Sequence, residues 1–301
     1  MELAGAVTDF SLGNVHLRCR AKLRFALFVL AALFFSHSCS FAETWCNMSP
    51  SYLTTNCAIG GIVSESWSIQ NAPAAGLTSI TFPFTVFSTP SASGYFFAQQ
   101  FSFVNNNNDS GQGAYIGIQP AGNGGNGQDD AHFSFFGTGS SAVNTTNCST
   151  GADGGTGTTC DVTVPFVPGH QYNLTVYRDT NKNTIWHGSI VDSTACQVAT
   201  SLGSGNKSSV CTPTEIGAWN IAYETALSSS NGGFVEYFVS EVPQGCSGLP
   251  YADAEFMAPT TPSGLSSEVN NEYSYGGCNN QVNYSGSQST HNLWVRSETG
   301  W

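Results

Sequence analysis

Cleaving a glycosidic bond takes two carboxyl groups facing each other across it, one as acid and the other as nucleophile or base. The acidic residues of this chain offer few such pairs. Glu236 and Glu241 share an extended stretch, but their numbers differ by an odd count, so a regular strand points them to opposite faces unless a bulge intervenes. Glu215 and Asp192 meet Glu236 only if the fold brings them there. Glu215 and Glu236 are therefore the candidate general acid or base, and solvated surface carboxylates are the competing reading. His132, His170, His187 and His291 are scattered, with no G-x-S-x-G elbow, H-E-x-x-H helix or phosphate loop anywhere in the sequence.

Sugar binding asks for different parts, because pyranose C–H faces stack on aromatic rings while hydroxyls need paired donors and acceptors. Tyr95 and Tyr115 flank a central hairpin, Trp186 and Trp219 fall in later strands, and Gln99 and Gln119 supply amides. These six are the candidate ligand-binding residues. For each tryptophan the alternative is a place in the core, and Gln99, with apolar neighbours along its face, is either a satisfied buried amide or the polar floor of a concave sheet. A calcium site is suggested by Gly124-Gly125-Asn126-Gly127-Gln128-Asp129, which reads G-G-x-G-x-D with Asp130 beside it. The competing reading is a glycine-rich connector, since such repeats work by stacking.

Strands must position these groups. In the stretch Gly94 to Gln119, Tyr95, Phe97, Gln99, Phe101 and Phe103 take one face and Phe96, Ala98, Gln100 and Ser102 the other. Asn105 to Asp109 with Gly111 and Gly113 turns the chain, and Tyr115, Ile116 and Ile118 begin the return strand. Further strands are expected at Ser64 to Ile69, Ile80 to Val86, Ala131 to Phe136, Asp161 to Phe166, Gln171 to Asp179, Thr184 to Asp192, Ile216 to Tyr223 and Phe234 to Glu241. Pro83 argues that its strand is an edge or carries a bulge. No three-turn amphipathic helix is legible. The expected fold is all-β, a two-sheet antiparallel β-sandwich of jelly-roll type.

The beginning of the chain reads as an export signal. Arg18, Arg20, Lys22 and Arg24 precede an apolar run from Phe25 to Phe35, too short for a bilayer, and Ser40-Phe41-Ala42 places small residues where a signal peptidase cuts. Residues 1–42 are thus a leader, 43–245 the sandwich, and 246–301 a C-terminal extension expected to return to it. Cys46, Cys57, Cys148, Cys160, Cys196, Cys211, Cys246 and Cys278 follow the leader. An even number in an exported chain reads as disulfides, and closing short local loops couples them 46 with 57, 148 with 160, 196 with 211 and 246 with 278. Beyond the leader only 4 basic residues face 18 acidic ones, which sets aside nucleic acid and anionic membranes as partners.

Five short motifs, Tyr95 to Phe103, Tyr115-Ile116-Gly117-Ile118-Gln119, Phe133-Ser134-Phe135, Asp153-Gly154-Gly155-Thr156-Gly157 and Trp186-His187-Gly188, occur in an order that resembles the secreted β-rich family called Domain of Unknown Function 3472. The likeness spans about Ser79 to Glu241, and the chain departs from it at Phe135, where a Trp is frequent, and in its disulfides and long tail. The resemblance brings no catalytic residues and implies glycan recognition. The functional expectation is a secreted, extracellular protein that binds a glycan or polysaccharide, with a polysaccharide-cleaving hydrolase or lyase on the same scaffold as the alternative.

Overall fold

Alternation of side chains decides most of the architecture. The computed structural model describes residues 59–90, 94–104, 113–120, 129–143, 145–201, 207–238, 245–280, 282, 284–287 and 294–299, all within one compact unit, Phe41–Trp301. These hold the strands β1 (Gly60–Ile69), β2 (Ser79–Ser88), β3 (Tyr95–Phe101), β4 (Ala114–Gln119), β5 (Asp130–Phe136), β6 (Ser140–Ala142), β7 (Cys148–Ala152), β8 (Gly155–Thr163), β9 (Gln171–Arg178), β10 (Ile185–Asp192), β11 (Thr214–Ile221), β12 (Ser230–Tyr237), β13 (Ala252–Met257), β14 (Ser267–Ser274), β15 (Tyr284–Ser287) and β16 (Trp294–Thr299). They form two antiparallel sheets of eight. The first runs β14-β1-β12-β3-β4-β5-β8-β7 and the second β15-β16-β13-β2-β9-β10-β11-β6.

The fold is an all-β sandwich. Phe97 and Phe101 of β3, Ile116 and Ile118 of β4 and Phe133 and Phe135 of β5 meet Phe82, Leu174, Trp186 and Trp219 of the second sheet in one buried cluster. Trp219 stacks on Phe133 with ring centroids 4.5 Å apart. Two glycines facing each other on β10 and β11, Gly188 and Gly217, let the sheets approach this closely. A Cβ on Gly188 would meet the Phe133 ring at 2.5 Å, and one on Gly217 would meet the Cys148 sulfur at 2.5 Å. Side chains at either position would wedge the layers apart.

Three of the four expected disulfides are present, Cys148–Cys160, Cys196–Cys211 and Cys246–Cys278, while Cys46 and Cys57 lie outside the described residues. The first joins residues directly opposite each other on β7 and β8. The Cys196–Cys211 bridge staples two short helices, α1 (Ser193–Ser201) and α2 (Lys207–Val210). Asp192 starts α1 by accepting the Ala195 backbone N–H at 2.8 Å, a side-chain cap on an otherwise orphaned donor.

Pro83 does not lie on an edge strand. It pairs with Asn173 on β9, and on the other side the ladder to β13 ends at Phe84 and resumes as an isolated bridge at Thr81. The missing N–H thus falls in a gap between two stretches of pairing. Beyond Pro243, β13 pairs with β2 and β14 with β1, so the tail supplies strands to both sheets. Among the described residues no helix is long and apolar enough to cross a membrane.

Candidate functional site

Three rows of side chains cross the outer face of β4, β5 and β8. Tyr115 stands opposite Ser134, and Ser134 opposite Thr159; Gly117 opposite His132, and His132 opposite Asp161; Gln119 opposite Asp130, and Asp130 opposite Thr163. Period two puts these residues outside because their neighbours Ile116, Ile118, Phe133 and Phe135 face the core. Hydroxyls knit the rows together. Ser134 and Thr159 share a hydrogen bond of 3.0 Å, and Thr163 donates to Asp130 Oδ1 at 3.1 Å.

Asp153 is brought in by a tight turn. It and Gly154 both have positive φ, 46° and 73°, between the paired residues Ala152 and Gly155. That is the two-residue hairpin geometry that Asp-Gly favours. The turn sets the Asp153 carboxylate against Tyr115, whose hydroxyl donates to its two oxygens at 3.1 and 3.3 Å. The result is a groove of about 1070 Å³ whose lining includes Tyr115, Gln119, Asp130, His132, Asp153 and Asp161 and, among the described residues, contains no Lys or Arg.

Two polar atoms in this wall have no partner. His132 Nε2 and Gln119 Oε1 make no hydrogen bond, although their residues are only 7% and 8% exposed. The missing side chain of Gly117 leaves room for the Phe96 ring, which meets His132 edge to face at 5.8 Å. Burial pushes the His132 pKa down, against the weaker opposite pull of Asp161, Asp130 and Asp153, so the imidazole is neutral at physiological pH. Burial likewise raises the Tyr115 phenol, with help from the Asp153 charge. It stays a hydrogen-bond donor.

Of the residues singled out in the sequence, Tyr115, Gln119 and Asp130 converge on this groove. Tyr95, Gln99, Trp186 and Trp219 lie between the sheets, each no more than 1% exposed. They present no ring or amide to solvent. The Trp186 indole donates to the Glu224 carbonyl at 2.9 Å, and the Tyr95 hydroxyl donates to the Pro250 carbonyl. Even Tyr115 offers its hydroxyl edge rather than its face, wedged among Phe96, Phe136 and Phe234. Expectation and structure differ here because alternation fixes which residues share a face but not which face another layer covers.

Glu215 and Glu236 are not brought together. Glu215 sits on the second sheet beside His187 Nδ1 at 3.2 Å, with Asp179 at 3.4 Å from the other ring nitrogen. Glu236 sits on the first sheet, opposite Phe96, where its charge helps raise the Tyr115 and Tyr275 phenols. Asp129 uses its backbone carbonyl to accept from Val164, and the glycine run before it lies outside the described residues. Among the described residues no group of three or more His, Cys, Asp or Glu is arranged to hold a metal ion.

Sequence reasoning met His132 only as one of several scattered histidines and Asp153 only as the start of a short motif, and it gave no role to Asp161, which lines the groove with them, or to Glu65, which lies on the inner face of the same sheet. Glu65 Oε1 accepts from Gln99 Nε2 at 2.8 Å, across Gly233, which pairs with both residues. Burial pushes the Glu65 carboxyl up to about 8, the Gln99 hydrogen bond countering it in part. A signal for Glu65 exists in the sequence, since it alternates with Val63, Trp67 and Ile69, all core residues.

No protein-family model matches the chain, and no curated protein matches it. Among solved structures it is similar to scytalido-glutamic peptidase with a peptide-based transition state analog, at 12% identity and a TM-score of 0.40, over 80% of this chain and 98% of that one. It is similar also to SCP-B, a member of the Eqolisin family of peptidases in complex with the tripeptide Ala-Ile-His, at 13% identity and a TM-score of 0.38, over the same shares of the two chains.

Proposed function

We propose that this is an exported carbohydrate-binding protein whose site is the groove on the outer face of β4, β5 and β8. The observation that carries the reading is the pair of unpartnered groups in the groove wall, Gln119 Oε1 and His132 Nε2. Buried polar atoms are nearly always satisfied, so at a groove wall such an atom is a place where a bound molecule, or a water, supplies the partner. Sugar hydroxyls both donate and accept, so one ring can serve an amide oxygen, a neutral imidazole and the neighbouring carboxylates of Asp153 and Asp161 together. The lining is hydroxyl and carboxylate rather than apolar, which suits a hydrated, hydroxyl-rich ligand better than a lipid or a drug-like molecule. Three disulfides support an oxidising, extracellular setting.

A glycan array probed with the oxidised protein tests this. The expected result is retention on a restricted set of glycans, weakened by Gln119→Ala and by Tyr115→Phe, which keeps the ring but removes the bond to Asp153. No retention on any glycan at high protein concentration would remove the reading.

A further inference from the structure

Resting on the glycan reading, the groove's charge narrows its ligand. Among the described residues Asp130, Asp153 and Asp161 line it with no Lys or Arg beside them, and the one basic side chain there, His132, is buried and held below the ordinary imidazole pKa by that burial. The chain as a whole carries a formal charge of −12, of the same sign as the carboxylates at the groove. Asp153 and Asp161 are both exposed at the rim, where ionised carboxylates attract cations over distances of about a Debye length, roughly 8–10 Å in ordinary salt. The wall is also rich in acceptors. Gln119 Oε1 is an acceptor waiting for a hydrogen, and ionised carboxylates accept only.

We propose that the groove selects a cationic glycan, an oligomer of amino sugars with free ammonium groups. An ammonium brings three donors and no acceptor, which complements a wall rich in acceptors. Its charge answers the carboxylates, while the hydroxyls of the same ring use the imidazole and the Thr159 and Thr163 side chains. A glycan bearing uronic acids would meet like charge. A neutral one would leave the carboxylates without a counter-charge. The groove's volume, about 1070 Å³, is at the upper end of the usual range for small-molecule sites, so it suits several linked rings better than one.

The test compares two probes that differ only at nitrogen: a glucosamine hexasaccharide and its fully N-acetylated counterpart. Calorimetry uses the oxidised full chain at about pH 5.5, where the amines of the probe are protonated. The expected result is binding of the free-amine oligomer at least about tenfold tighter than the acetylated one, with the advantage shrinking as salt rises and lost in Asp161→Asn with Asp153→Asn. Both aspartates are exposed, so the double variant is checked for an unchanged thermal melt. Equal affinity for the two probes overturns this inference and leaves glycan binding standing. Failure of every glycan, free-amine or neutral, overturns both. Binding of oligolysine with no binding of the amino sugar also overturns it, in favour of a basic peptide.

Discussion

The two faces of the first sheet carry the same kinds of polar residue to opposite ends. On the inner face Glu65, Gly233 and Gln99 form a row across β1, β12 and β3 in which acid and amide close on each other, both 1% exposed. On the outer face Gln119, His132 and their aspartate neighbours form rows across β4, β5 and β8 that open into a groove. Burial separates them. Inside, desolvation keeps the glutamate uncharged, and a proton on Glu65 makes a donor beside two unpartnered atoms, Glu65 Oε2 and Gln99 Oε1. Outside, Asp153 and Asp161 stand in water at the rim.

The sharpest way to break that contrast is to ionise the inner row. Burial holds the Glu65 carboxyl at a pKa of about 8 in the folded protein, against 4.5 for a glutamate in water. The folded state therefore holds a proton that the unfolded state has lost between those values, and stability falls as pH rises through that window. The loss is complete above about pH 8 and approaches roughly 5 kcal/mol. Urea unfolding from pH 4.5 to 8.5 should show this slope, and Glu65→Gln, a permanent mimic of the neutral acid, should flatten it. A wild-type profile as flat as that of the variant would mean that Glu65 is not sealed inside.

Steric pressure on the same row should have the next largest effect. A Cβ on Gly233 would stand 2.6 Å from Glu65 Oε1 and 2.8 Å from Gln99 Oε1. Gly233→Ala should thus part the pair and destabilise the protein by about 2–3 kcal/mol, read as a lower urea midpoint. The outer row should answer more gently. Tyr115→Phe removes one hydrogen bond to a charged, rim-exposed acceptor, so a loss of about 1 kcal/mol is expected. Asp161→Asn, at an exposed position, should change stability by less than about 0.5 kcal/mol while weakening ligand retention. If Asp161→Asn instead unfolds the protein, the outer row is structural and the contrast between the faces fails.

Much of the sheet structure was legible because alternation in segments such as Tyr95 to Phe101 and Ile80 to Val86 is regular and the core it builds is aromatic. The local cysteine couples were legible for a similar reason, since each closes a short loop. Long-range register was not. Gln99 could be read as a buried amide, but its partner Glu65 is reached through β12, far along the chain. His132 looked isolated because Asp161 stands opposite it only once β8 is laid against β5. Strand β7, Cys-Ser-Thr-Gly-Ala, has almost no apolar face, so periodicity had nothing to register. Trp219 carried the opposite difficulty: its type suits a sugar platform and a core equally, and only the covering layer, Phe133 and Phe101, decides.

The bridge between Cys148 and Cys160 ties β7 to β8, and β7 runs straight into the Asp153 turn that forms one rim of the groove. Chain made in a reducing cytosol would keep its aromatic interior yet lose the tether that steadies that rim. On the proposed reading of the groove, competence to capture a ligand would then arrive with oxidation.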